Sequence, residues 1–158
     1  MLQRVCATLI EVGGYKLAWV GYKVDDAEKS VRPVAQHGSD QGYISSVHVS
    51  WGDSHQGAGP TGRAIQTGTP FICRDIQNDP NLRPWRERAI TRGFAASIAL
   101  PLIIEGKVEG ALMCYAGYAF AFDEEEVRLL GNLIDDLAFG IQSLRLRHAH
   151  DQAEKELA

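Results

Sequence analysis

Nowhere does the chain carry a Cys-x-x-Cys pair, and its three cysteines, Cys6, Cys73 and Cys114, stand far apart with one necessarily unpaired. That excludes a disulfide framework and fits a reducing, cytoplasmic setting. Also missing is any apolar run of the roughly 20 residues that a spanning helix needs, and no basic-then-apolar leader opens the chain. No membrane contact is expected of this piece. Excess positive charge is lacking too: 16 basic residues against 20 acidic ones leave a net charge of −4, so nothing in the balance recruits nucleic acid. There is no glycine-rich phosphate loop between a strand and a helix, which sets aside a doubly wound nucleotide fold. Metal-ligand spacing is absent as well. His37, His48 and His55 do not fall at zinc intervals, and His148 and His150 would point apart on a helix. No cofactor is expected.

What is there suits one soluble domain. The 158 residues are 45 % apolar and 23 % charged, enough to bury a core without staples. Leu2, Val5, Leu9 and Ile10 fall at helical spacing with no N-cap before them, so this helix (1–11) is expected to begin upstream of residue 1. Tyr15 to Val24 and Val31 to Gln36 read as strands joined by a turn at Asp25-Asp26. From His37 to Pro60 the chain is irregular and rich in Gly, Ser, His and Asp, a composition that in long loops marks function or mobility. A short helix is expected from Pro60 to Thr67, closed by Gly68, then a short strand from Pro70 to Cys73. An Arg- and Trp-bearing helix follows from about Leu82 to Arg92. Ala95 to Ile104 and Lys107 to Ala116 form a hairpin through Glu105-Gly106. Both of these strands are apolar on both faces, which predicts a sheet covered on both sides.

The last helix carries the plainest signal. Asp123 with Glu126 spells a capping box, and Glu124 and Glu125 suit the positive end of the helix dipole. Val127, Leu130, Ile134, Leu137, Ile141 and Leu144 alternate by three and four residues, an a/d seam expected to pair with a second copy. A second stripe, Leu129 and Leu133, widens the apolar face, so that the first half of the helix can cover the sheet. Beyond Arg145 the helix turns polar, as a linker leading to a further domain would. The class is α+β, one antiparallel sheet of five to six strands with helices on both faces and a long C-terminal helix.

Several segments then acquire a common meaning. Gly59-Pro-Thr-Gly-Arg-Ala-Ile-Gln-Thr-Gly-Thr-Pro70, Asp75-Ile76, Ser97-Ile-Ala-Leu-Pro-Leu102, Gly110-Ala-Leu-Met113, and Phe122-Asp-Glu-Glu-Glu-Val-Arg-Leu-Leu130 with Asp135-Asp-Leu-Ala138 stand in an order and at a spacing that resemble a GAF domain over nearly the whole chain. The likeness is to members found beside PAS domains, histidine kinases and cyclic-di-GMP enzymes. It implies a sensory domain over residues 1–147, a helical linker from 148 to 158 toward an output domain, a small-molecule pocket on one face of the sheet, and a dimerising helix pair on the other. Bilin-binding members carry Asp-Ile-Pro and an attachment cysteine beside a histidine. Here Gln77 follows Asp75-Ile76 and no Cys-His pair exists.

Candidate ligand-binding residues are Tyr43, Trp51, Thr61, Arg63, Asp75, Trp85, Arg88, Ser97 and Cys114. Thr61 and Arg63 open a short helix, where free N–H groups favour an anion, or they form an ordinary cap with a surface arginine. Asp75 either binds ligand or ties its own turn. Trp85 is a pocket wall or a core aromatic, while Tyr43 and Trp51 have no other evident reason to sit in an irregular segment. Arg83, Arg86, Arg88 and Arg92 give one helix a basic character that serves an anionic partner or a solvated face. Ser97 and Cys114 would face a cavity left by small strand residues such as Ala95, Ala96 and Ala99. No residue stands out as catalytic. Three functions stay open: a non-catalytic ligand sensor working as a homodimer, a ligand-free dimerisation module, and a free methionine sulfoxide reductase using its cysteines.

Overall fold

A computed structural model describes residues 1–38, 49–52, 59–80 and 83–157, with side chains from residue 86 onward in the last stretch. Apolar residues on one stripe of α1 (Leu2–Glu11) bury Cys6 and Leu9 against the sheet. Strands β1 (Leu17–Lys23) and β2 (Val31–Gly38) pair antiparallel with a register shift between Val20 and Gly21. Helix α2 (Pro60–Thr67) follows, with Pro60 in its first turn, where a missing N–H costs nothing. Its C-cap is Gly68 at φ +69°, the left-handed conformation that glycine adopts without strain. Then come β3 (Phe71–Cys73), α3 (Arg83–Thr91), β4 (Ala96–Ile104), β5 (Lys107–Ala116) and α4 (Glu124–Leu157). The sheet has five antiparallel strands in the order β2-β1-β5-β4-β3. The β4–β5 turn is closed by Glu105 and Gly106, both at positive φ, as a two-residue type I′ hairpin requires.

Strand alternation sorts the core into two layers. Even-numbered residues of β4 and β5 (Ile98, Leu100, Leu112, Cys114) join Ala18 and Val20 beneath α1 and α4. Odd-numbered ones (Ala99, Ala111, Met113, Tyr115) join Leu17 and Trp19 on the opposite face, against Ala64 and Ile65 of α2 and Ala89 of α3. The sheet is covered on both sides, and burying large side chains such as Trp19 and Leu100 contributes roughly 1.5–3 kcal/mol each.

Two expectations are corrected on α4. The a/d positions were to form a dimer seam, yet Leu130, Ile134, Leu137 and Ile141 are buried in the chain's own core, with Val127 packed beside them. Three-and-four spacing is equally the stripe of a helix lying on its own sheet, and here the sheet takes it. Leu144 alone among the six is exposed. The capping box is half made. Asp123 Oδ1 accepts from the Glu126 N–H at 2.9 Å, but the Glu126 carboxylate accepts from the Tyr15 hydroxyl instead of returning to the cap. Among the described residues no helix is long and apolar enough to cross a membrane.

Candidate functional site

The face bearing the odd-numbered residues of β4 and β5 is built in rows across the strands. Leu17, Tyr115, Ser97 and Cys73 make one row, and Trp19, Met113, Ala99 and Phe71 make the next. Directly paired residues share a face, so Ser97 stands between Tyr115 and Cys73. It is fully buried, and its hydroxyl has no hydrogen-bond partner among the described residues. A hydroxyl stripped of water without compensation costs about 1–3 kcal/mol, so it is an open valence in an otherwise apolar wall. Its neighbour Tyr115 is fixed: the Tyr115 hydroxyl accepts from Trp19 Nε1 at 3.2 Å, and Phe94 stacks on its ring at 4.8 Å between centroids.

The nine sequence candidates divide unevenly around this point. Ser97 lies at its centre. Thr61 is buried in the first turn of α2, which packs over β3, β4 and β5, and makes no cap bond; the N-cap is Gly59. Arg63 is exposed, with its guanidinium 5.8 Å from the Phe71 ring centroid. Asp75 serves its turn: its carboxylate accepts from Asn78 Nδ2 at 2.7 Å. Arg88 is exposed on α3. Trp51 is half-buried, its Nε1 donating to the Val24 carbonyl at 2.9 Å. Tyr43 and the Trp85 side chain lie outside the described residues.

Cys114 is a correction. It was expected to face the cavity, but it points to the opposite layer, under α1 with Cys6. The parity of β4 and β5 decides this, since Ser97 pairs with Tyr115 and Cys114 with Ile98. That parity also brings in Trp19, Phe94 and Tyr115, which the sequence reading had not singled out. Burial raises all three thiols above their ordinary value. Cys6 is pushed up to about 11 and Cys73 up to about 12, the latter also through a hydrogen bond with Asp79. Thiols held protonated are poor nucleophiles.

A five-stranded antiparallel sheet between a helix pair and an aromatic-walled second face is a known plan. A family model for the GAF domain matches residues 1–142. The chain belongs to the GAF domain family. No curated protein matches it. Among solved structures it is similar to the domain of a protein assigned as a two-component sensor histidine kinase from Sinorhizobium meliloti 1021, at TM-score 0.68 and 20 % identity over 94 % of both chains. It is similar to free methionine-R-sulfoxide reductase from Neisseria meningitidis in complex with its substrate, at TM-score 0.72 and 20 % identity, covering 92 % of this chain and 78 % of the other. A third likeness is to the GAF domain from a phosphoenolpyruvate-protein phosphotransferase of Coxiella burnetii, at TM-score 0.70 and 21 % identity over 94 % and 84 %. At such identities the likeness carries the fold alone. GAF domains are typically regulatory sensing domains, and some GAF-fold relatives are enzymes.

Proposed function

We propose that this GAF domain is a non-catalytic small-molecule sensor whose ligand lies over the Ser97–Tyr115 row and biases α4. It would act in the reducing cytoplasm as a homodimer, with α4 leading to an output domain. The observation that carries the reading is the fully buried Ser97 hydroxyl, unpartnered among the described residues, on the face opposite α4. Trp19, Phe94, Met113 and Tyr115 are packed around it in the core. A ligand entering there must part them and would be an apolar or aromatic one with one polar atom directed at Ser97. β4 and β5 carry both the ligand-side residues and, on the other face, Ile98, Leu100 and Leu112 beneath α4. A shift of one face is thus felt on the other. For this to signal, ligand must bind the two α4 arrangements with different affinity, tenfold for every 1.4 kcal/mol of coupling.

Native mass spectrometry of the purified protein, followed by a thermal-shift screen of small metabolites, tests the reading. A ligand whose stabilisation is lost in Ser97→Val supports it; a protein that binds nothing in either experiment overturns it in favour of a ligand-free dimerisation module.

The methionine sulfoxide reductase reading has a solved neighbour in its favour and the thiol chemistry against it. Cys6, Cys73 and Cys114 are buried and held protonated. A thiol-dependent assay with free methionine-R-sulfoxide decides between them: turnover by the wild type that disappears in Cys73→Ser would replace sensing with catalysis.

A further inference from the structure

At the end of the sheet away from Ser97, the structure holds a second constellation that the sensing reading does not use. Val108, at the near end of β5, lies seven residues from Tyr115, about 23 Å along an extended strand. Here a cleft of about 540 Å³ is lined by Lys23, Lys29, Trp51, Gln66, Lys107 and Val108. Three lysines, Lys23, Lys29 and Lys107, contribute to its lining. None of them forms an ion pair among the described residues, in a chain whose net charge is −4. Among the described residues, no carboxylate lines the cleft.

The arrangement is built, and Trp51 is its floor. The Trp51 backbone N–H donates to the Lys29 carbonyl at 2.9 Å and its Nε1 to the Val24 carbonyl at 2.9 Å. Gln66 Nε2 donates to the Trp51 carbonyl at 3.0 Å and to the Gly52 carbonyl at 2.6 Å. With its polar edge tied down, the indole offers its π system, and the Lys23 and Lys29 ammonium groups sit 5.0 and 4.8 Å from the ring centroid. Lys29 reaches that place from a left-handed backbone, φ +52°, which a residue with a Cβ adopts only at a cost. Its stem runs past Gly52, where an added Cβ would come within 2.9 Å of Lys29 Cδ. Backbone strain and a close glycine contact thus both serve to hold one cation over the indole.

We propose that this cleft binds a soluble, phosphate-bearing small molecule carrying at least two negative charges. Three like charges around one opening focus a positive field that an anion relieves. Lysine presents rotatable point-charge donors, an established way of holding phosphate oxygens. The volume falls within the roughly 300–1,000 Å³ of small-molecule sites. The proposal goes beyond the sensing reading and requires nothing to be bound over Ser97.

Calorimetric titration with inorganic pyrophosphate at fixed ionic strength tests it. The expected result is one site per chain, weakened at least tenfold in the double variant Lys29→Gln/Lys107→Gln, unchanged in Ser97→Ala, and weakened as salt is raised. Both lysines are exposed, so the double variant should fold, and an unchanged melting temperature would confirm it. Absence of binding by the wild type at millimolar pyrophosphate, or equal binding by wild type and double variant, would overturn the site. Loss of binding in Ser97→Ala would move the anion to the other end of the sheet. Co-sedimentation with anionic phospholipid vesicles, without pyrophosphate binding, would overturn the soluble ligand.

Discussion

Ser97 stands where a hydroxyl brings nothing to folding. Buried, it loses its hydrogen bonds to water and gains none among the described residues. Ser97→Ala is therefore expected to raise the stability of the unliganded domain by about 1 kcal/mol, read as a shift in urea midpoint, while weakening a ligand that bonds to it. A drop in stability instead would mean that the hydroxyl is satisfied. The thiols make a second case with a definite sign. Burial raises Cys73 from 9.0 to about 12 and Cys6 from 9.0 to about 11. In the folded chain they stay protonated, while in the unfolded chain they ionise from pH 9 upward, so the unfolded state binds fewer protons in that window. Their contribution is complete below pH 9 and is lost as pH rises toward 11 and 12. Urea midpoints measured at about pH 8 and about pH 10.5 should fall with pH, and less steeply in Cys73→Ala. Equal slopes would remove Cys73 as a contributor.

At the scale of the element, α4 shows how a periodic pattern can be legible and its partner not. The bounds of α2 and β5 and the turn between β4 and β5 followed from Pro60, Gly68 and Glu105-Gly106, because local backbone chemistry dictates them. The stripe through Leu130, Ile134, Leu137 and Ile141 was equally visible, but spacing alone does not say whether a helix meets a second helix or its own sheet. Cys114 and Ser97 failed as a pair for a related reason: one residue of parity on paired strands decides the face, and both faces here are apolar. Trp51 was noticed as an aromatic in an irregular stretch, yet the lysines around it come from β1, the β1–β2 turn and β5, positions far apart in sequence. The corrected role of α4 has a consequence. Leu137→Ala should cost about 2–5 kcal/mol of stability, as a core truncation does. Phe139→Glu, at a residue 72 % exposed on the opposite side of the helix, should change stability by about 0.5 kcal/mol or less. If the protein self-associates through the outer side of α4, Phe139→Glu is the substitution that lowers the sedimentation coefficient. A dimer dissociated by Leu137→Ala with an unchanged urea midpoint would restore the seam as first read.

Seen as a whole molecule, the domain is a sheet with two unlike faces and one helix that outruns them. α4 has 34 residues, about 51 Å at 1.5 Å per residue, but its buried positions end at Ile141. One turn further, Arg145 donates twice to the Glu109 carboxylate of β5, each bond 2.9 Å, and no described residue beyond it is buried. The pair bridges α4 to the strand that also carries Tyr115 on the ligand-side face, so it is the last place where the sheet can hold the helix. A solitary helix of the remaining dozen residues is marginal in water, since nucleation is costly and no apolar face is covered. Amide exchange followed by mass spectrometry should therefore show slow exchange from Val127 to Ile141 and rapid exchange past Arg145. Glu109→Gln should move that boundary back toward Ile141 and change the urea midpoint by about 0.5 kcal/mol or less, because half-exposed ion pairs contribute little to global stability. A boundary that stays in place would show the pair to be ornamental. Slow exchange continuing to Leu157 at high protein concentration, lost on dilution, would show instead that a second helix covers the overhang, and that the sheet ceases to govern α4 once it leaves Arg145 behind.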